Sequence, residues 1–246
     1  MLNSEKVASD AKLGVDAHDI LPAEPQQEVL PTIASFAFDW ANLTTLIGGA
    51  FASFALVAAI QRNIHLAAAL LMVSTACDWW DGYIARSTKG RPKEFGQVGG
   101  QLDSLCDLFA TGVVPVLTLS IYSNFSIVSM LFSVVGIWVV LLRLAYFNVY
   151  GLAGGSCYIG LSVDHNAMAF SGIVLMKPLI DSAAGYASSE YNPFFMLTLA
   201  AVLLLVWSQN LNTKLFLPKA TFDLLWNYYF AAMGLIGGLN LLLAVM

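Results

Sequence analysis

The sequence predicts an all-α polytopic membrane protein. Three observations carry that expectation: the composition, the length of the apolar runs and the placement of basic residues. Of 246 residues, 58% are hydrophobic and 11% charged, against roughly a quarter charged in a soluble domain. A hydrocarbon core about 30 Å thick takes roughly 20 apolar residues per helix. Seven runs approach that length: Ala41 to Ile60, Ile64 to Ala85, Gln101 to Tyr122, Phe125 to Tyr150, Asn166 to Ala184, Pro193 to Leu211 and Tyr228 to Met246. The seventh stops at the chain end and reads as a lone helix beside a six-helix unit, so six to seven transmembrane helices are expected.

Basic residues set the orientation. With the amino terminus in the cytoplasm, Lys6, Lys12, Arg86, Lys89, Arg91, Lys93, Arg143, Lys214 and Lys219 fall on the cytoplasmic side and only Arg62 and Lys177 opposite. That is the positive-inside bias. Residues 1–31 form an acidic tail with Glu5, Asp10, Asp16, Asp19, Glu24 and Glu28 against Lys6 and Lys12. The tail lacks the basic start and short apolar core of a secretory signal and reads as retained and mobile. Residues 32–40, with Phe36, Phe38 and Trp40, suit the membrane interface. Residues 41–211 then form the six-helix unit, and residues 212–246 a cytoplasmic link with the additional helix. The net charge of −5 resides mostly in the tail, and no nucleic-acid partner is expected.

Cys77, Cys106 and Cys157 make an odd number, and no Cys-x-x-Cys spacing or histidine partner accompanies them. They read as small packing residues, neither a disulfide framework nor a zinc site. His65, beside the opposite loop, reads as an interfacial residue.

Ionisable groups inside membrane helices cost several kcal/mol unless they meet a cavity, a partner or an ion. Asp78 and Asp81 end the second run, and Asp103 and Asp107 begin the third. Spacings of three and four put each pair on one helix face, and a short cytoplasmic loop brings the faces together. Four unpaired carboxylates repel, and a divalent cation relieves that repulsion. All-oxygen ligands favour magnesium, calcium or manganese. Two alternatives compete. Arg86 and Arg143 could form a salt-bridge network, though four acids exceed two arginines. A transporter relay is the second, but such carboxylates usually lie at the midplane between related halves, and no second copy is visible here.

Small residues surround the acids. Gly82 follows Asp81, Ala85 precedes Arg86, Gly96, Gly99 and Gly100 precede Asp103, and Gly112 follows Asp107. Gly82 gives a bulky substrate access to the backbone, while Gly112 serves helix packing equally well. Arg86, Lys89, Arg91 and Lys93 make the loop between the acid pairs basic. That suits an arriving phosphorylated lipid, and a solvated loop obeying topology explains it almost as well.

The string Asp78-Trp-Trp-Asp81-Gly82-Tyr-Ile-Ala85-Arg86, followed by Gly99-x-x-x-Asp103-x-x-x-Asp107, resembles the signature of the CDP-alcohol phosphatidyltransferases, D-x-x-D-G-x-x-A-R, a spacer, then G-x-x-x-D-x-x-x-D. The spacer departs from the pattern: twelve residues separate Arg86 from Gly99, more than the family's usual interval. A longer cytoplasmic loop costs little. With Gly96 as the aligned glycine, the insertion would fall before Asp103 instead.

The resemblance implies about six membrane helices around a cytoplasm-facing polar active-site cavity, usually in a homodimer, with residues 41–211 as the phosphatidyltransferase domain. It maps Asp78, Asp81 and Asp103 to metal binding, with Mg2+ or Mn2+ as the cofactor. Asp107 maps to the base that takes the proton of the incoming hydroxyl, with a further role toward a second metal in some members. Gly82 and Ala85 would sit against the cytidine nucleotide, and Arg86 would hold phosphates or carboxylates. The donor implied is CDP-diacylglycerol, drawn from the surrounding membrane lipids.

The stretch Leu102-Asp103-Ser104-Leu105-Cys106-Asp107-Leu108 with Gly112-Val113-Val114-Pro115 looks like the serine-accepting branch of that family, as does Arg143-Leu-Ala-Tyr-Phe-Asn148 with Tyr158-Ile-Gly160-Leu161. L-serine is then the expected acceptor, with a sister phosphatidyltransferase using inositol, glycerol phosphate or choline as the alternative, and Arg143 a candidate for the donor phosphate or the serine carboxylate. Ser162 stands where that branch usually has proline, and Thr111 where it has an aromatic. Asp164, His165 and Asn166 either cap the fifth helix or line the acceptor pocket.

Overall fold

The computed structural model describes residues 32–185 and 191–245, with side chains through residue 236. The expectation for the acidic tail lies outside the described residues. Helices dominate the remainder, as the composition requires. They are α1 (Ile33–Ala37), α2 (Trp40–Ile60), α3 (Ile64–Ser87), α4 (Lys93–Asp107), α5 (Val114–Tyr122), α6 (Ile127–Tyr150), α7 (Asp164–Leu175), α8 (Lys177–Ala183), α9 (Pro193–Asn210) and α10 (Lys219–Val245). A six-residue π-helical turn, Leu108–Val113, joins α4 to α5.

Local chemistry sets these boundaries. Asp39 caps α2 by accepting from the Asn42 amide, Asn63 caps α3 by accepting from Leu66, and Asn192 caps α9 by accepting from Phe194 and Phe195. Gly151, in the left-handed region at φ +60°, ends α6. Small side chains let α2 and α3 approach: Ala52, Ala55 and Ala59 of the first and Ala67 and Ala68 of the second are fully buried. Large apolar groups such as Phe54, Trp138 and Leu205 face outward, as they do where lipid is the solvent.

Four helical stretches are long and apolar enough to cross a membrane: Trp40–Ile60, Lys93–Tyr122, Ile127–Tyr150 and Pro193–Asn210. This is a helical membrane protein. Of the other expected runs, α3 has the length, at 24 residues, but its last turns carry Asp78, Asp81 and Arg86. The fifth run, Asn166 to Ala184, is broken. It divides at Met176 into α7 and α8, because Pro178 has no N–H to continue the ladder and its ring opposes the preceding turn. The seventh run begins inside α10, which starts nine residues earlier at Lys219. A two-stranded antiparallel sheet, unforeseen in the sequence, pairs β1 (Cys157–Ile159) with β2 (Phe216–Pro218).

Candidate active site

Helices α3 and α4 run antiparallel and bring their polar faces together. One carboxylate oxygen from each of Asp78, Asp103 and Asp107 lies within 4.8 Å of the others. Asp81, one turn beyond Asp78, is 7% exposed and accepts a hydrogen bond from the Thr45 hydroxyl of α2. Directly after Asp107 the helix widens into its π-turn, an irregularity common at functional sites. The Thr111 hydroxyl donates to the Asp107 carbonyl at 2.8 Å within that turn. Pro115 follows and removes one backbone donor.

All four acids line one cavity of about 150 Å³. Gly82, Arg86, Arg143, Ser162 and Asp164 share its wall, whereas Ala85 does not line it. A Cβ at Gly82 would lie 3.1 Å from Nη1 of Arg86, so this glycine leaves room for the guanidinium of the next turn. Arg143 is buried, donates from Nε to the Leu161 carbonyl at 2.9 Å and lies over the Phe147 ring at 5.6 Å. Among the described residues the ion pairs are Arg91 with Asp39, at 2.6 Å, and Lys177 with Asp181, at 2.5 Å. Neither Arg86 nor Arg143 neutralises the acids by direct pairing.

Asp164 opens α7 without capping it: the N-cap is Val163, and no side chain bonds there. Its carboxylate accepts from the Ser162 hydroxyl at 2.6 Å and faces the cavity. His165 and Asn166 lie off that wall. Cys77, Cys106 and Cys157 are free. The first two pack against helix α2, where a Cβ on Gly48 or Gly49 would stand 3.1 Å or 3.2 Å from them.

Several wall residues carried no assigned site role in the sequence: Trp79, Tyr158, Lys219, Phe222, Asp223 and Trp226. The last four repeat at positions i, i+3, i+4 and i+7 of α10, a one-face pattern that the sequence does display. Burial, with Asp164 and Asp223 nearby, pushes the Tyr158 hydroxyl up to about 12, so it meets the cavity as a neutral donor.

Hard oxygen donors converging at this spacing fit a divalent cation such as Mg2+ or Mn2+. Asp78, Asp103 and Asp107 would hold it directly, and the Thr45 hydroxyl would orient Asp81 beside them.

An archaetidylserine synthase of Methanothermobacter thermautotrophicus is 26% identical to this chain over 164 residues, which is 66% of either protein and just short of two thirds. Residues 38–222 match the CDP-alcohol phosphatidyltransferase family. That match takes in about three quarters of the chain and every acid of the cluster. Members of the family are generally dependent on a divalent metal. The protein therefore belongs to the CDP-alcohol phosphatidyltransferase family.

Proposed function

We propose that this phosphatidyltransferase moves the phosphatidyl group of CDP-diacylglycerol onto L-serine, giving phosphatidylserine and CMP with Mg2+ or Mn2+ as cofactor. The convergence of Asp78, Asp103 and Asp107 on a cavity that also contains Arg86, Arg143 and Asp164 is the observation that carries this reading. A bound divalent ion supplies charge neutralisation at the pyrophosphate and makes CMP a better leaving group.

The chain's own groups do the rest. Asp81, steadied by Thr45, would complete the set of carboxylates that holds the ion. Gly82 leaves room for the Arg86 guanidinium, which reaches the phosphates from the next turn. Asp107 takes the proton of the serine hydroxyl as its oxygen attacks the phosphorus bearing the diacylglycerol. The bond from that phosphorus to CMP breaks as the new ester forms. Such general-base assistance is worth about 100 to 10,000-fold. Arg143 has its Nε occupied by Leu161 and offers its two remaining nitrogens as a fork for the serine carboxylate.

The cavity opens to the cytoplasm in this reading, on the side of the amino terminus, because the basic residues gather there. The bundle has six to seven spans, residues 41–211 carry the chemistry itself, and two copies associate as a homodimer, as the family likeness implies. The name of the archaeal relative agrees with serine as acceptor. Purified protein incubated with labelled CDP-diacylglycerol and equal concentrations of L-serine, inositol, glycerol phosphate and choline tests the reading. Phosphatidylserine is the expected product, and predominant formation of any other ester overturns the serine assignment.

A further inference from the structure

The cavity wall beyond the family motif comes from the C-terminal helix. Lys219, Phe222, Asp223 and Trp226 of α10 all line it; the family match ends at residue 222, so Asp223 and Trp226 lie beyond it. The start of α10 is pinned there. Strand β2 pairs with β1, the Lys219 amide donates to the Ser156 carbonyl at 3.0 Å, and the Phe222 ring lies 4.9 Å from that of Tyr158. Deeper along the helix, the Trp226 and Trp79 rings stack at 6.5 Å. Trp226 is 1% exposed, and its indole N–H has no hydrogen-bond partner among the described residues. A buried donor of that kind on a cavity wall calls for an acceptor, either water or a ligand.

The carboxylates facing the cavity are not equivalent. Asp78, Asp103 and Asp107 converge as a metal set, Asp81 is tied to Thr45, and Asp164 is tied to Ser162. Asp223 makes no ion pair or hydrogen bond among the described residues, although Lys219 is one turn away on the same face. It is half-buried and sits where a small cationic group in the cavity would find a free carboxylate.

We propose that Asp223 of the C-terminal helix binds the ammonium group of the amino-alcohol acceptor, making α10 a specificity wall added to the transferase core. This rests on the serine reading above. An acceptor with a carboxylate at Arg143 and an ammonium at Asp223 is held at both charged ends, which leaves its hydroxyl to face Asp107. A charge-assisted contact of this kind, partly removed from water, is worth about ten- to hundredfold in affinity.

The test uses the purified full chain, with acceptor kinetics separated from donor affinity. Asp223→Asn is expected to raise the KM for L-serine about ten- to hundredfold, to leave CDP-diacylglycerol affinity unchanged, and to shrink the preference for L-serine over glycerate, which carries a hydroxyl in place of the ammonium. Asp223→Glu, which keeps the charge, restores most of that preference. A serine KM and a glycerate discrimination both unchanged in Asp223→Asn overturn the inference and leave the serine reading standing. Absence of phosphatidylserine from wild-type reactions overturns the serine reading itself. Should Asp223→Asn fail to fold, seen as loss of a cooperative thermal unfolding transition, two measurements decide. Equal competition by glycerate and L-serine in the wild type, or no preference for serine in Asp223→Glu, overturns the inference.

Discussion

Gly99 lies so close to Asn42 that a Cβ on it would stand 2.5 Å from the Asn42 amide oxygen. Asn42 cannot retreat. It is 1% exposed, its Nδ2 donates to the Phe36 carbonyl at 3.0 Å, and its Oδ1 accepts from Arg91 at 2.8 Å. Arg91, in the lengthened loop, is itself bound to Asp39 at 2.6 Å. The start of α4 is thereby locked to the start of α2, one turn before Asp103.

Gly99→Ala is therefore expected to push α4 away from α2 and to displace Asp103. Forcing a methyl into a packed contact destabilises by about 1–3 kcal/mol. The variant should melt earlier than wild type and lose activity, whereas Gly100→Ala, which meets nothing within 4 Å, should do neither. Equal behaviour of the two variants in thermal denaturation and turnover would contradict this packing argument.

Removing the metal should stop the reaction. With chelator present, turnover is expected to vanish and to return on addition of Mg2+ or Mn2+. Asp78→Asn and Asp103→Asn should be nearly inactive, since each takes a charged ligand from the converging set. Asp107→Asn should lower the rate far more than the affinity for CDP-diacylglycerol, as expected when a transition-state interaction is lost. Full activity in metal-free buffer would refute the metal assignment, and equal losses of rate and donor affinity in Asp107→Asn would make it a ligand alone.

Thr45 offers a test through Asp81. Its hydroxyl lies 3.1 Å from the Ala41 carbonyl and also donates to Asp81. Thr45→Val keeps the shape and deletes the donor, leaving a buried carboxylate without its side-chain partner. Outer-shell substitutions of this kind cost about 10- to 100-fold in metal affinity or activity, so Thr45→Val should need more metal for half-maximal activity. Thr45→Ser, which retains the hydroxyl, should resemble wild type. A metal titration unchanged in Thr45→Val would remove Asp81 from the site's energetics.

The acid pairs were legible in the sequence because helical spacing is local: residues three or four apart share a face whatever the rest of the chain does. Their convergence followed from a short loop between two helices. Thr45 could not be read in the same way, since it lies 36 residues from Asp81 in an ordinary apolar run. The Arg91–Asp39 pair spans 52 residues, so in the sequence Arg91 read as one charge of a basic loop, either receiving a phosphorylated lipid or simply solvated, and not as a partner of Asp39. The contribution of α10 depends on strand β2 folding back onto β1, a long-range pairing of three-residue strands that no periodicity announces. The break at Met176 was more accessible, for Lys177-Pro178 interrupts an otherwise apolar run, and a proline inside a helical pattern favours a kink or a stop.

Arg143 gives the sharpest test of acceptor choice. It is 4% exposed, and its Nε is already committed to the Leu161 carbonyl at 2.9 Å. A lysine there keeps one charge but cannot hold Leu161 and grip a carboxylate with two further nitrogens at once. Arg143→Lys is therefore expected to be harmful even though the charge is conserved. Its signature lies in selectivity. Wild type should strongly prefer L-serine to ethanolamine, which lacks the carboxylate, and Arg143→Lys should shrink that ratio about tenfold or more. Simple damage to the loop held through Leu161 would lower both acceptors alike and leave the ratio intact. Loss of CDP-diacylglycerol affinity with the ratio preserved would instead assign Arg143 to the donor phosphate. Measuring both acceptors and the donor on one preparation separates the three outcomes.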